Sequence, residues 1–286
     1  MALLLLAHQE KRGKVIALTV DHGLRSDSRK EAERVGEWAR ARGIEHVILT
    51  WEGDKPASRL QEKAREARYH LLTSWCKANG ISTLLLGHHA QDQEETFWLR
   101  LAAGSGLEGL AGMKEQSVRD GITIIRPLLK VPKEQLQTFL REENQPWIED
   151  PSNESNAFFR GRLRGFLKEE GLSSERLSHT LEKFQEDADF IRKSLQIAQD
   201  VVVKCREDDS LILDKGAFQA LHPALSKRLL VRIIQQFSSA PYPPRSKQIE
   251  GILKKLSTPS AFTAGGIYWT QTAEEIQLRR ERGRHP

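Results

Sequence analysis

The stretch KVIALTVDHGLR, residues Lys14–Arg25, decides which fold the chain can adopt. After Lys14 it is an apolar run without polar alternation, and the run stops at the turn-like Asp21-His22-Gly23. Comparable runs cover residues 46–51, 82–86 and 122–125, and helical patterns at 27–42, 58–79 and 91–103 lie between the runs. Strands without alternation are buried on both faces, which is typical of parallel pairing with helical crossovers. The sequence therefore predicts an α/β fold with a doubly wound parallel sheet.

Polar residues follow these strands at the points where they end. They are Asp21-His22-Gly23, Gly87-His88-His89 and Arg126-Pro127. In doubly wound sheets ligands bind beyond the carboxyl ends of the strands. We therefore expect the functional site at this edge.

The second half of the chain has a different pattern. Residues 144–156 are rich in Asn, Pro and Ser, which favours a boundary loop. Long amphipathic helical patterns follow over 173–205, with shorter ones at 217–237 and 246–256 and a hairpin pattern over 261–278. We expect a catalytic domain over 1–165, a helical linker over 166–215 and a small C-terminal domain over 216–286.

Composition limits the class of protein and its partners. No apolar run approaches the roughly 20 residues of a membrane span, and the two cysteines are too far apart in sequence for a CxxC pair. A reduced, cytoplasmic protein without a membrane partner is expected. The net charge is +5, and one basic cluster comprises Arg160, Arg162, Arg164 and Lys168. Such a cluster suits a ligand with many phosphates, but it is equally typical of a solvated helix face.

The densest group of reactive side chains is GHHAQDQEET, residues 87–96. Asp92 and Glu95 are three residues apart on the predicted helix, so they share a face. Three interpretations remain open: acidic capping of a helix N-terminus, a site for an organic cation or nucleotide, and a metal site that includes His88 and His89. Arg65, Arg68 and Tyr69 share a face of the preceding helix, which alone indicates only a solvated stripe.

Several motifs taken together resemble the tRNA(Ile)-lysidine synthetase family. They are VDHGLR (20–25), AREARY (64–69), LLLGHHAQDQEETFWLRLAAGSGLEGLAGM (84–113), RPLL (126–129) and WIEDPSN with the arginines after it (147–164). The block over 84–113 is the specific part, and the resemblance covers about the first 165 residues. This family is identified as a member of the PP-loop ATP pyrophosphatases, whose fold is the doubly wound sheet.

The resemblance implies a two-step reaction that uses ATP and Mg²⁺. ATP adenylates the C2 oxygen of the wobble cytidine of tRNA(Ile) with a CAU anticodon, and the ε-amine of free L-lysine then displaces AMP. The product, lysidine, changes codon reading from AUG to AUA. The family has a small terminal domain, which we expect to bind tRNA, and the resemblance leaves a homodimer open.

The resemblance also implies roles for individual residues. The catalytic residues would be His88, Arg160 and Arg68; Asp92, Glu95 and Arg68 would bind lysine; Asp21, His22, Gly87 and His88 would bind the nucleotide; Arg160, Arg162, Arg164 and Lys168 would bind tRNA. No resident metal ligand is implied. Gln91 departs from the family, which often has Asp there.

The start of the chain differs from what the resemblance implies. Residues 1–10 are predicted to form a helix, whereas this family has a strand and an SGGxDS loop before such a helix. We therefore expect upstream residues to be missing and ATP binding to be poor.

Three rival functions stay open. They are a tRNA thiolation enzyme, a metal-dependent hydrolase that uses His88, His89 and Asp92, and a catalytically impaired RNA-binding remnant.

Overall fold

The structure is a computed structural model that describes residues 1–10, 13–53, 55–56, 58, 60–148, 174–207, 209–237, 244–258 and 261–281. Its internal contacts divide the chain into two units, Met1–Gln185 and Glu186–Pro286. The domain boundaries at residues 165 and 215 stay predictions.

The first unit alternates helices and strands. In chain order they are α1 (Ala2–Gln9), β1 (Ile16–Asp21), α2 (Ser28–Ala41), β2 (Glu45–Thr50), α3 (Leu60–Ala78), β3 (Thr83–Leu85), α4 (Ala90–Ala102), α5 (Leu107–Leu110), β4 (Gln116–Arg119), β5 (Ile122–Ile125) and α6 (Lys133–Glu142). The helix at the start of the chain, the four predicted strands and the three helices between them are confirmed.

The predicted parallel pairing is confirmed, in two sheets rather than one. β1 pairs with β2 in parallel, and β3 pairs with β5 in parallel. β4 adds an antiparallel edge, so the second sheet has the order β3-β5-β4. Among the described residues no ladder joins β1 to β3, which is why the two sheets are separate. Both sheets nevertheless pack on one core.

That core explains why α3 lies where it does. Buried Tyr69, Leu72 and Cys76 of α3 pack with residues of β3 and β5, and Leu18 and Val20 of β1 pack against the same cluster. Burying one such leucine contributes roughly 1.5–3 kcal/mol relative to leaving it in water. Because α3 covers both sheets, it carries its polar face to the edge where the strands end.

The β4–β5 hairpin was not predicted, although the Asp120-Gly121 pair in the sequence is typical of a hairpin turn. Asp120 and Gly121 form its two-residue loop and both have positive φ, 51° and 77°. A two-residue hairpin turn of this kind requires φ > 0 at both positions, which Asp-Gly supplies at low cost. The side chain of Asp120 accepts a hydrogen bond of 3.0 Å from Thr73 Oγ1 on α3. The hairpin is therefore fixed to the helix beside it.

The second unit is built on an antiparallel sheet. Its elements are α7 (Ser174–Val202), which begins in the first unit, then β6 (Val203–Arg206), β7 (Ser210–Asp214), α8 (Lys215–Ala220), α9 (Pro223–Phe237), α10 (Ser246–Leu256), β8 (Phe262–Ala264), β9 (Ile267–Gln271) and β10 (Glu275–Arg280). The sheet order is β6-β7-β10-β9-β8. Alternate residues such as Leu211 and Leu213 face a core shared with α9 and α10.

Two expectations for this part need correction. The linker is not helical up to residue 215: α7 ends at Val202, and β6 and β7 follow because the alternation in SLILD buries one face of a strand. The hairpin over 261–278 is three strands, since β8 pairs with β9 before β9 pairs with β10.

Candidate active site

A cavity of about 290 Å³ lies where β3 ends and α4 begins, facing α3. Eight residues line it: Arg65, Arg68, Gly87, His88, Asp92, Glu95, Thr96 and Met113. Five of these, Arg68, Gly87, His88, Asp92 and Glu95, are residues to which the sequence assigned a role. The structure therefore brings together the predicted lysine-binding set and part of the predicted nucleotide-binding set, as residues from two helices and one strand end.

The acidic side of the cavity comes from α4. Asp92 Oδ2 accepts a hydrogen bond of 2.9 Å from the backbone N–H of His89, at the start of the helix. The capping interpretation is thus right for this oxygen, and Asp92 also lines the cavity. Glu95 follows on the same helix face and is only 5% exposed. Asp92 is partly exposed, and both carboxylates line the same cavity, where their negative charge suits a cationic ligand.

His88 is held neutral at the edge of the cavity. Burial lowers its pKa to about 4, and the positive charges of Arg68, Arg126 and Arg65 act in the same direction, while Asp92 opposes them. A neutral imidazole can accept a hydrogen bond at one nitrogen and donate at the other. The Nδ1 atom of His88 is buried and has no hydrogen-bond partner among the described residues. His88 can therefore offer a polar atom to a ligand near neutral pH.

The basic side comes from α3 and from the end of β5. Arg65 and Arg68 line the cavity directly. Arg126, which follows β5, is only 7% exposed and donates to the carbonyl oxygen of Lys114 and to Ser117 Oγ, both at 3.0 Å. The cavity thus has acids on α4 and arginines opposite them, an arrangement that suits a ligand pair of opposite charges.

The segment after α4 is positioned by two long side chains, a role that the sequence did not reveal. The buried amide of Gln93 accepts from the backbone N–H of Met113 at 2.6 Å and donates to its carbonyl oxygen at 2.8 Å. Arg100 donates to the carbonyl oxygens of Gly109 and Gly112. These bonds place Met113 on the cavity wall. Gln91, in contrast, bonds to the start of α6 and to Glu134, away from the cavity lining.

Asp21 and His22 lie at the end of β1 and outside the set that lines the cavity. Burial alone would raise the pKa of Asp21, but hydrogen bonds from Ser28 Oγ at 2.7 Å and from the Gly23 N–H at 2.9 Å lower it. Burial and the charge of Arg68 lower the pKa of His22, whose ring meets Trp51 edge-on at 6.1 Å. The lowered pKa values favour the ionised carboxylate of Asp21 and the neutral imidazole of His22.

Some predicted site residues cannot be placed. Arg160, Arg162, Arg164 and Lys168 lie outside the described residues. Within the described part of the chain, no three His, Cys, Asp or Glu side chains are grouped as metal ligands. None of the described helices has the length and apolar character to cross a membrane.

Comparison with known proteins identifies the class. Residues 1–170 match the PP-loop domain family. A solved structure, the U34-tRNA thiolase NcsA from Methanococcus maripaludis with its [4Fe-4S] cluster, superposes with a TM-score of 0.53 at 18% identity, over 65% of this chain and 68% of that one. This likeness concerns the fold alone. The chain is therefore a protein with a PP-loop domain, as the strand pairing and the position of the site indicate.

Curated relatives narrow the class further. The tRNA(Ile)-lysidine synthase of Ruegeria pomeroyi is 34% identical over 97% of this chain and 67% of its own length. That of Wolbachia pipientis wMel is 33% identical over 97% and 66%, and that of Hyphomonas neptunium 35% over 100% and 80%. The chain belongs to the tRNA(Ile)-lysidine synthase family. It spans about two thirds of the length of the first two relatives.

Proposed function

We propose that the protein is an ATP-dependent ligase that forms lysidine in tRNA(Ile). The C2 oxygen of the wobble cytidine attacks the α-phosphate of ATP and pyrophosphate leaves. The ε-amine of free lysine then attacks C2, AMP leaves with the oxygen, and the amine loses a proton. ATP use follows from the PP-loop domain and tRNA(Ile) from the relatives; lysine as the amine is our proposal.

The observation that carries the proposal is the division of charge in the cavity. Asp92 and Glu95 stand on α4, while Arg65 and Arg68 stand on α3 across the same space. Free lysine has two ammonium groups and one carboxylate, so it needs acids for the former and a cation for the latter. An arginine pairs well with a carboxylate through its planar donors. We assign Asp92 and Glu95 to the ammonium groups and Arg68 to the lysine carboxylate or the reaction centre.

The other roles follow from position. His88, neutral and with a buried Nδ1 that has no partner among the described residues, would hydrogen-bond the reacting phosphate. Asp21 and His22 at the end of β1 and Gly87 at the end of β3 would contact the nucleotide. Arg160 stays a predicted catalytic residue, and Arg162, Arg164 and Lys168 stay predicted tRNA contacts.

The described residues fit ATP better than a resident metal ion. His22 and His88 each have a buried Nδ1 without a partner among the described residues, and both face positive charge. A histidine nitrogen beside positively charged groups suits a hydrogen bond to the phosphate oxygens of ATP. Mg²⁺ is usually held by substrate phosphates and one or two carboxylates, and here it would neutralise charge on the triphosphate.

The remaining assignments concern the whole protein. We propose that the C-terminal part, residues 216–286, contacts tRNA and that the protein works in the cytoplasm. A homodimer is compatible with the site, because the residues that line the cavity all belong to the first unit. The impaired-remnant and metal-hydrolase alternatives are not favoured by the relatives.

Neutralising the two carboxylates tests the lysine assignment. Asp92→Asn and Glu95→Gln should each weaken lysine binding at least about 30-fold, because unpairing a buried charge costs roughly 2 kcal/mol or more. Binding is measured by calorimetry with lysine and with Nε-acetyl-lysine, which lacks the side-chain charge and should bind weakly to all variants. In a form of the protein that includes the strand and SGGxDS loop of the family, transfer of label from [α-³²P]ATP to tRNA should persist in both variants, while lysidine formation fails.

Glu108→Gln is the matched control, since Glu108 is an exposed acid on α5 outside the cavity lining. It should bind lysine as the unmodified protein does. Lysine binding unchanged in both Asp92→Asn and Glu95→Gln would refute the assignment.

A further inference from the structure

An arginine–tyrosine–arginine stack extends the basic side of the cavity onto the surface. Tyr69 of α3 is only 5% exposed. The guanidinium of Arg65 lies 5.3 Å from its ring centre, and that of Arg119, on β4, lies 4.5 Å away. Arg65 lines the cavity, whereas Arg119 lies outside the lining. The stack therefore leads from the reaction site to the β4–β5 hairpin.

The hairpin holds Arg119 in place at this position. Arg119 is paired with Ile122 in the register of the hairpin, next to the Asp120-Gly121 turn. The Asp120 carboxylate accepts from Thr73 Oγ1 at 3.0 Å, one helical turn beyond Tyr69 on α3. Strand register and this bond fix the backbone from which Arg119 reaches the ring. Cation–π contacts are strongest when such a guanidinium is held over an aromatic face.

The guanidinium groups of Arg65 and Arg119 have positive charge that is available to a ligand. Among the described residues, the nearest acid to Arg119 is Asp120, with a separation of 3.9 Å between Nε and Oδ2, and that carboxylate already accepts from Thr73. Within the part of the chain that the structure describes, the hydrogen bond found for Arg65 is the one that it donates to the Tyr69 hydroxyl at 3.5 Å. Arg119 therefore has only a long ion pair on the hairpin and Arg65 only a long contact on α3, so guanidinium N–H groups of both are available to phosphate oxygens, the commonest ligands of arginine on a nucleic acid.

We propose that Arg65 and Arg119, held by Tyr69, bind the phosphate backbone of the anticodon loop of the tRNA. This inference rests on the proposed function and adds a contact for its RNA substrate. The two guanidiniums lie within about 10 Å of each other, close enough to contact neighbouring phosphates of one RNA strand. Arg119 does not line the cavity, so we assign it to a phosphate that lies outside the reaction site. Phosphates outside the cavity are those of a strand that enters it.

The test measures binding of a tRNA(Ile) transcript by fluorescence anisotropy at several salt concentrations. Arg119→Gln should weaken binding roughly fivefold at low salt, and the slope of log Kd against log salt should fall by about 0.7 because one phosphate contact is lost. Arg65→Gln combined with Arg119→Gln should lower the slope by about twice that amount. Lysine binding by Arg119→Gln should be unchanged, since Arg119 does not line the cavity.

Arg141→Gln is the matched control. Arg141 of α6 also lies over an aromatic ring, that of Trp147, at 5.6 Å, and it is outside the site. An equal salt slope for Arg119→Gln and the unmodified protein, or an equal loss in Arg141→Gln, would overturn the inference. Should the unmodified protein show an Arg119-dependent slope yet form no lysidine, the proposed function would fail and the RNA contact would stand.

Discussion

The two hydrogen bonds from Gln93 to Met113 should be a measurable source of stability. Replacing Gln93 by Leu keeps the size of the side chain but removes the donor and the acceptor. The N–H of Met113 then has no described partner, whereas its carbonyl oxygen keeps a weaker contact with Gln185 at 3.4 Å. Losing one net hydrogen bond costs about 1 kcal/mol and leaving a buried N–H unsatisfied costs roughly 1–3 kcal/mol more. We expect Gln93→Leu to lower the free energy of unfolding by about 2–4 kcal/mol.

Urea denaturation followed by circular dichroism measures this loss. The matched control is Gln91→Leu, two residues away on the same helix, whose partially exposed bonds to Lys133 N and Glu134 should be worth about 1 kcal/mol or less. Lysine should also bind more weakly to Gln93→Leu, because Met113 forms part of the cavity wall. The reasoning is refuted if the two leucine variants have the same stability.

Two further predictions concern single positions. Since burial lowers the pKa of His88 to about 4, the unfolded chain binds more protons between pH 6.5 and 4, so stability falls as pH decreases through that window. The unmodified protein should lose roughly 3 kcal/mol more than His88→Gln between pH 7 and pH 4 in urea titrations, and equal losses would contradict the neutral-imidazole assignment. Gly112→Ala should be destabilising by about 2–4 kcal/mol, because Gly112 has φ +75° and an added Cβ would lie 2.7 Å from Gln93 Oε1. Gly104→Ala, with φ +71° and open space, should cost only about 1 kcal/mol in thermal unfolding; an equal cost at both glycines would rule out the clash.

Much of the catalytic half could be predicted from sequence because its strands are apolar runs with helical patterns between them. β5 was placed at its observed bounds, and the end of β3 lies at the cavity, whereas Asp21 and His22 at the end of β1 lie outside its lining. β4 was not predicted because its sequence, QSVR, contains no apolar run, although the Asp120-Gly121 turn indicates a hairpin. β6 was missed because VKCR continues the composition of the preceding helix, and only pairing with β7 makes it a strand.

The site shows a similar limit. Residue spacing placed Asp92 and Glu95 on one face and left three interpretations open, of which helix capping applies to Asp92 and the cation site stays a proposal. The part played by Gln93 was not predictable, since a glutamine inside a helix usually reads as an exposed side chain. Only the folded backbone shows that it bonds to a residue 20 positions later. Likewise, nothing in the sequence indicated that Arg119 lies over Tyr69.

Asp92 both caps the start of α4 and lines the cavity, and this limits how the amino-acid preference that we propose for the cavity could be changed. One of its oxygens belongs to the first turn of α4, so any replacement that cannot accept the His89 N–H loosens the element that also carries Glu95. Asparagine retains that bond and alanine does not. Attempts to redesign the enzyme for an uncharged amino acid should therefore vary Glu95 and Thr96 first, and exchange Asp92 only for residues that still begin a helix.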